Sequence, residues 1–208
     1  MKKYEFTGET KQVELLSRTA TLHRIRAVAG FGIIKIGDLG GWIEKEENLS
    51  HEGMAWVYGN AEVYGNAKVC GDAEVCGDAE VYGNAEVWGN AKVYGDAEVY
   101  GDAEVYGNAK VCGDAKVCGD AEVFSASHVL VIGAIGSRND FTTFFRDKDN
   151  EITVKCGCFL GKIDKFLEKV TATHGDSKYA LIYRAAVEVA RLQIDLVSDA
   201  DKYEEVRK

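Results

Sequence analysis

From Val57 to Val123 a valine returns at every sixth position without a slip, twelve in all. Each hexad reads V-[Y/C/W]-G-[N/D]-A-[E/K], and an unbroken short period of this kind builds a solenoid. Within A-[E/K]-V-[Y/C/W], small or aliphatic residues alternate with charged or aromatic ones, which is the period of a strand with Ala and Val turned inward. Gly followed by Asn or Asp then turns the corner, because Gly enters positive φ freely and Asn and Asp tolerate it. Three corners close a triangular coil of 18 residues, so residues 18 apart stack. Roughly four coils at strand spacing give a prism about 19 Å tall. The 23 Gly and absence of Pro in 208 residues fit a chain that repeats one turn many times.

The acidity belongs to this segment. Val57 to Phe124 holds seven Glu and six Asp against four Lys, a net charge of −9, and the whole chain also sums to −9. That sign disfavours direct nucleic-acid binding by the repeat. A 46% hydrophobic composition supports a real core. No run of about 18 apolar residues offers a membrane span. The N-terminus MKKYEFTGETKQVE has no apolar stretch behind its lysines, so a cytoplasmic location is expected.

Pairing an aliphatic residue with a small one four positions later, as in Val57 with Ala61 and Val81 with Ala85, resembles the hexapeptide-repeat, left-handed parallel β-helix proteins. The resemblance covers about 70 residues and supplies the handedness. The fold expected is mainly β: a left-handed parallel β-helix over 56–126, an N-terminal cap over 1–55, and a small C-terminal α+β domain over 127–208. Outward columns should form from Tyr58, Cys76, Tyr94 and Cys112; from Tyr64, Tyr82, Tyr100 and Cys118; and from Cys70, Trp88, Tyr106 and Phe124. Exposed apolar stripes mark contact surfaces. Members of this family are typically trimers, so the resemblance implies a homotrimer. The alternative is that the terminal segments cover the stripes within one chain.

Four of the six cysteines occupy aromatic slots of the repeat, and Cys76 and Cys112 would stand about 10 Å apart, too far to bridge. Strand alternation puts Cys156 and Cys158 on one side as packing residues. In the N-terminal flank, 31–37 and 40–43 read as short strands, and Trp42, Ile43, Leu49 and Trp56 as cap material. After Phe124 the sequence reads as strands at His128–Ile135, Phe141–Arg146 and Glu151–Phe159. A helix with Ile163, Phe166, Leu167 and Val170 on one face follows. A longer helix to about Ser198 carries the seam Ala180, Tyr183, Val187, Ala190, Ile194 and Val197, expected to dock on the small sheet.

The phrases LHRIRA, GDLGGWIEKEENLS, the VYGNA run, IGSRND with TTFF, and VKCGCF resemble an uncharacterised phage and prophage hexapeptide-repeat family across nearly the full chain. That resemblance implies a phage or prophage origin.

Hexapeptide-repeat acyltransferases use a catalytic His, but His23, His51, His128 and His174 all lie outside the repeat, and no His pair has ligand spacing. No enzyme, catalytic residue, metal or cofactor is expected. The candidate site is the loop Gly136, Ser137, Arg138 and Asn139 with Thr142 and Thr143. A glycine-rich turn exposes amides, and Arg offers a planar fork for phosphate or carboxylate. Arg146, Lys155 and His174 join it if the hairpin curls over them. The function expected is non-catalytic capture of an anionic, nucleotide-like small molecule, such as a cyclic nucleotide or an ADP-ribose derivative, by an oligomer that sequesters a host immune signal. Two other readings stand beside it: an acidic DNA mimic that inhibits a host protein, and a structural or assembly component.

Overall fold

The computed structural model describes residues 2–15 and 17–196. The hexads form a parallel β-solenoid of about 5 turns. Its first face carries Leu39–Ile43, Glu62–Val63, Glu80–Val81, Glu98–Val99 and Lys116–Val117. The second carries Trp56–Val57, Glu74–Val75, Lys92–Gly95 and Lys110–Gly113. The third carries Lys68–Val69, Glu86–Val87, Glu104–Val105 and Glu122–Val123. Pairing is in register, Glu80 with Glu98 and Val81 with Val99. Adjacent coils are sewn by bonds such as Tyr82 N–H to Val99 O at 2.9 Å. All twelve valines and the alanines between them are buried and fill the prism.

Corner geometry explains the invariant glycine of the hexad. Gly77 has φ +76°, and a Cβ there would lie 2.9 Å from the carbonyl oxygen of Gly95 in the next coil. Both the backbone angle and the tight stacking of corners exclude a side chain.

The outward columns form as the 18-residue period requires. Tyr64, Tyr82 and Tyr100 stack at 5.0 and 4.9 Å with rings within 3° of parallel, and Trp88 lies 4.4 Å from Tyr106. In-register stacking would also pile carboxylate on carboxylate. The lysines relieve this: Lys68 pairs with Glu86, Lys92 with Glu74 and Lys116 with Glu98, each one coil away. The phenols of Tyr64, Tyr82 and Tyr106 donate to Glu80, Glu98 and Glu122.

The solenoid has one more coil than the valines announce. Ile43 pairs with Val63, and Leu49 bridges to Val69, so they occupy valine positions in a coil above the repeat. Ile43 and Leu49 are six apart, but Leu49 and Val57 are eight apart, and these two extra residues hide the coil from a strict period.

The first face continues beyond this coil as an antiparallel hairpin, Tyr4–Glu14 with Thr19–Ala27, which the sequence reading leaves unassigned. Near one end Tyr4, Ile25 and Ala27 close the prism, with Tyr4 Oη donating to Leu49 O at 2.8 Å. At the other end Ala20 and Leu22 bury Tyr64 and lean toward Tyr82. The chain thus covers part of its own aromatic column. Trp56, Ile43 and Leu49 are buried in the cap as expected, while Trp42 faces outward beneath Lys11 and Arg24. The expected strand at 31–37 is instead a tight turn closed by the Phe31–Ile34 bridge, with Ile33 and Ile36 exposed.

The C-terminal unit is a lid on the other end. Strands Val129–Ile135, Asp140–Arg146, Ile152–Cys156 and Phe159–Lys162 form an antiparallel sheet in that order. One sheet face lays Phe145, Val129 and Val131 against the solenoid core. The other packs Phe144 and Val154 against helices α1 (Ile163–His174) and α2 (Lys178–Gln193). Ala180, Tyr183, Val187, Ala190 and Ile194 are buried, so the seam docks on the sheet as expected. Helix α2 stops at Gln193, short of Ser198, because Ile194 takes an extended conformation; Val197 and Ser198 lie outside the described residues.

The expected strand over 151–159 is broken by Gly157 at φ +56° into two strands of a hairpin. Alternation therefore fails across it. Cys156 packs in the helix layer, accepting from Thr142 Oγ1 at 3.3 Å, while Cys158 is exposed on the other side. Among the described residues no helix is long and apolar enough to cross a membrane.

Candidate binding cleft

The ring stack of the first face ends at Tyr100, because the next position in the column is Cys118. Beside that end the hairpin 129–146 overhangs the solenoid, and the two enclose a cleft of about 470 Å³. Tyr100, Asp114 and Lys116 form its solenoid wall. Arg138, Asp140, Phe141, Thr143, Lys155, Gly157 and Cys158 form its lid wall. The size suits a small organic ligand.

Both walls are held in place by side-chain hydrogen bonds. Thr143 Oγ1 accepts from the Lys116 amide at 3.0 Å, tying the lid strand to the last rung of the first face. Lys116 Nζ donates to Glu98 at 2.6 Å. Lys155 Nζ donates to Gly157 O at 2.9 Å. Arg138 crosses Gly157 so closely that a Cβ there would sit 2.5 Å from Nη1, and its nearest carboxylate oxygen, on Asp140, is 4.0 Å away. That guanidinium is the most available cation, with its side chain 62% exposed. Burial pushes the Tyr100 phenol above its ordinary range, reinforced by its hydrogen bond with Cys118, so at neutral pH the ring is uncharged.

Of the residues picked out in the sequence, Arg138 and Thr143 line the cleft, and Lys155 joins them. Gly136, Ser137 and Asn139 make the hairpin turn above it, with the Asn139 amide spent on Gly136 O. The glycines of this segment answer to packing. A Cβ on Gly136 would lie 1.9 Å from Tyr183 Oη, and one on Gly133 would lie 2.2 Å from the Phe141 ring.

Three expected site residues are directed elsewhere. Thr142 is buried on the helix side of the sheet. Arg146 is buried at the lid–solenoid junction, bonded to Glu122 at 2.9 Å and to Asn150 at 2.8 Å, with its guanidinium over Phe124. His174 stacks on Tyr183 in the helix layer. Strand alternation accounts for the split: 141, 143 and 145 face the solenoid, while 142 and 144 face the helices.

The sequence reading missed Tyr100, Asp114, Lys116 and Phe141. One signal was available. The last rung of the first face carries Lys116 where the rungs above carry Glu98, Glu80 and Glu62, and its column carries Cys118 where those above carry tyrosines. Both breaks fall beside the cleft.

The histidines at the two ends of the repeat are structural. His51 Nδ1 accepts from the Lys3 amide, and His128 Nδ1 accepts from the Phe124 amide. No group of three or more His, Cys, Asp or Glu with a metal-holding arrangement occurs among the described residues. No protein-family model and no curated protein matches the chain.

Proposed function

We propose that this is a non-catalytic binding protein that captures an anionic, nucleotide-like small molecule in the cleft between the last coils and the C-terminal lid. The observation that carries this reading is the convergence of Lys116, Arg138 and Lys155, from three separate elements, around one concavity that also holds the Tyr100 and Phe141 rings. Clustered cations with one planar guanidinium suit phosphate oxygens, and aromatic faces suit a base. Asp114 and Asp140 also line the cleft, which favours a ligand with hydrogen-bond donors as well as negative charge.

Several repeat carboxylates are engaged by Lys and Tyr partners one coil away, which favours ligand capture over mimicry of DNA by the acidic faces. With the resemblance to phage and prophage chains, capture extends to sequestration of a host signal nucleotide. A homotrimer belongs to the same proposal. Among the described residues, the column that holds Tyr94 keeps exposed aromatic surface for it.

Thermal unfolding against cyclic dinucleotides, cyclic oligonucleotides and ADP-ribose derivatives tests the reading. A ligand at about 100 times its Kd adds about 2.7 kcal/mol, visible as a raised midpoint. A raised midpoint with one ligand class supports capture; an unmoved midpoint across the panel removes it.

A further inference from the structure

The polar groups of the cleft differ in how fully they are already used. Lys116 holds Glu98, Lys155 holds the Gly157 carbonyl, and Asp140 accepts from the Phe141 amide. Asp114 has no hydrogen-bond or ion-pair partner among the described residues, although it is half-buried in the solenoid wall of the cleft. Its carboxylate therefore keeps its full acceptor capacity for donors on a molecule in the cleft. The ring of Tyr100 shares that wall, while Arg138 and Lys155 stand on the other. The solenoid wall thus offers an aromatic ring and an acceptor with no partner, its Lys116 being held by Glu98, while the lid wall offers Arg138 and Lys155 beside Phe141 and Asp140.

Resting on the reading of the cleft given above, we propose that its occupant is a guanine nucleotide, with Asp114 reading the base edge. Among nucleobases guanine alone presents two adjacent donors, N1–H and the N2 amino group, to a carboxylate. Adenine places an acceptor nitrogen beside its amino group, as does cytosine, and uracil flanks its one N–H with carbonyls; each would set a lone pair against Asp114. Hypoxanthine keeps N1–H and lacks the second donor. With the base beside Tyr100 and its edge on Asp114, the phosphates reach toward Arg138 and Lys155 on the facing wall.

Calorimetric titration of the full chain with GDP, IDP and ADP, and with cyclic di-GMP and cyclic di-AMP, tests this. A bidentate base contact discriminates by about tenfold or more. GDP should bind at least about tenfold more tightly than IDP and ADP, cyclic di-GMP should exceed cyclic di-AMP, and Asp114→Asn should bring these ratios toward one. Equal binding of guanine and adenine ligands, lost in Arg138→Ala, would overturn the guanine assignment and leave the cleft reading intact. A preference for guanine that Asp114→Asn leaves unchanged would overturn the role of Asp114. Binding of none of the five would overturn the guanine assignment and leave the capture reading to the wider panel above. Far-ultraviolet circular dichroism of each variant keeps loss of binding separate from loss of fold.

Discussion

Thr143 Oγ1 accepts the Lys116 backbone N–H at 3.0 Å, so a side chain of the lid receives a donor at the open edge of the last coil. A solenoid must end somewhere, and its last rung leaves donors and acceptors with no coil beyond. Thr143→Val keeps the shape and removes the acceptor. It is expected to cost about 1–3 kcal/mol in urea unfolding, and Thr143→Ser is expected to recover most of it. A neutral Thr143→Val would mean that this bond does not hold the lid.

Arg146 and Glu122 make the second junction, with the Arg side chain 6% and the Glu side chain 23% exposed. Arg146→Ala removes the counter-charge of a part-buried carboxylate, leaving it the Tyr106 hydroxyl, and is expected to destabilise by about 3 kcal/mol. Ligand affinity of the folded variant should be unchanged, because Arg146 lies outside the cleft. A loss of affinity with native stability would reverse both assignments.

Corner glycines should differ in their tolerance of substitution. At Gly77 a Cβ meets the stacked corner of Gly95, whereas at Gly113 nothing lies within 4 Å and only the positive φ remains. Gly113→Ala is expected to cost about 1–2 kcal/mol, the price of the left-handed backbone. Gly77→Ala should cost more, since coils must also separate. Equal denaturation midpoints for the two variants would contradict the stacked-corner account.

Alkaline pH should act in two stages. Burial lowers the Lys3 ammonium to about 8, partly opposed by Asp72. Between pH 8 and its ordinary 10.5 the unfolded chain keeps a proton that the native chain has shed, so this group makes stability rise with pH. Burial holds Tyr4, Tyr64, Tyr82 and Tyr100 above their ordinary value near 10. Above pH 10 the unfolded phenols ionise while the native ones do not, so stability falls. Burial also raises the Cys70, Cys76 and Cys118 thiols above their ordinary value near 9, which opposes the Lys3 rise from about pH 9. Thermal midpoints should therefore drop beyond about pH 10, and Lys3→Met should steepen the decline between pH 8 and 10. A pH profile left unchanged by Lys3→Met would contradict the burial of Lys3.

Much of the solenoid could be read directly, because Val, Ala and Gly recur at fixed offsets and each offset has one steric meaning. The coil above it was hidden by the two extra residues between Leu49 and Val57. The N-terminal hairpin was hidden because its burial depends on partners far along the chain: Tyr4 on Leu49, and Leu22 on Tyr64. The site was half visible. Arg138 stands on an exposed turn and announces itself, but Tyr100 and Asp114 look like ordinary hexad residues until the lid is folded over them, and only the breaks at Lys116 and Cys118 mark the place. Arg146 and His174 illustrate the converse, since residue type suggested chemistry while their surroundings assign them to packing.

The measurement that bears most directly on capture is calorimetric titration of Arg138→Ala with whichever ligand raises the midpoint of the native chain. Affinity should fall by about tenfold or more, as expected for a lost charge-assisted contact of about 1.5–3 kcal/mol, with the unfolding midpoint of the unliganded protein unchanged. Undiminished affinity in Arg138→Ala, with its fold intact, would place the ligand outside the cleft and contradict the account.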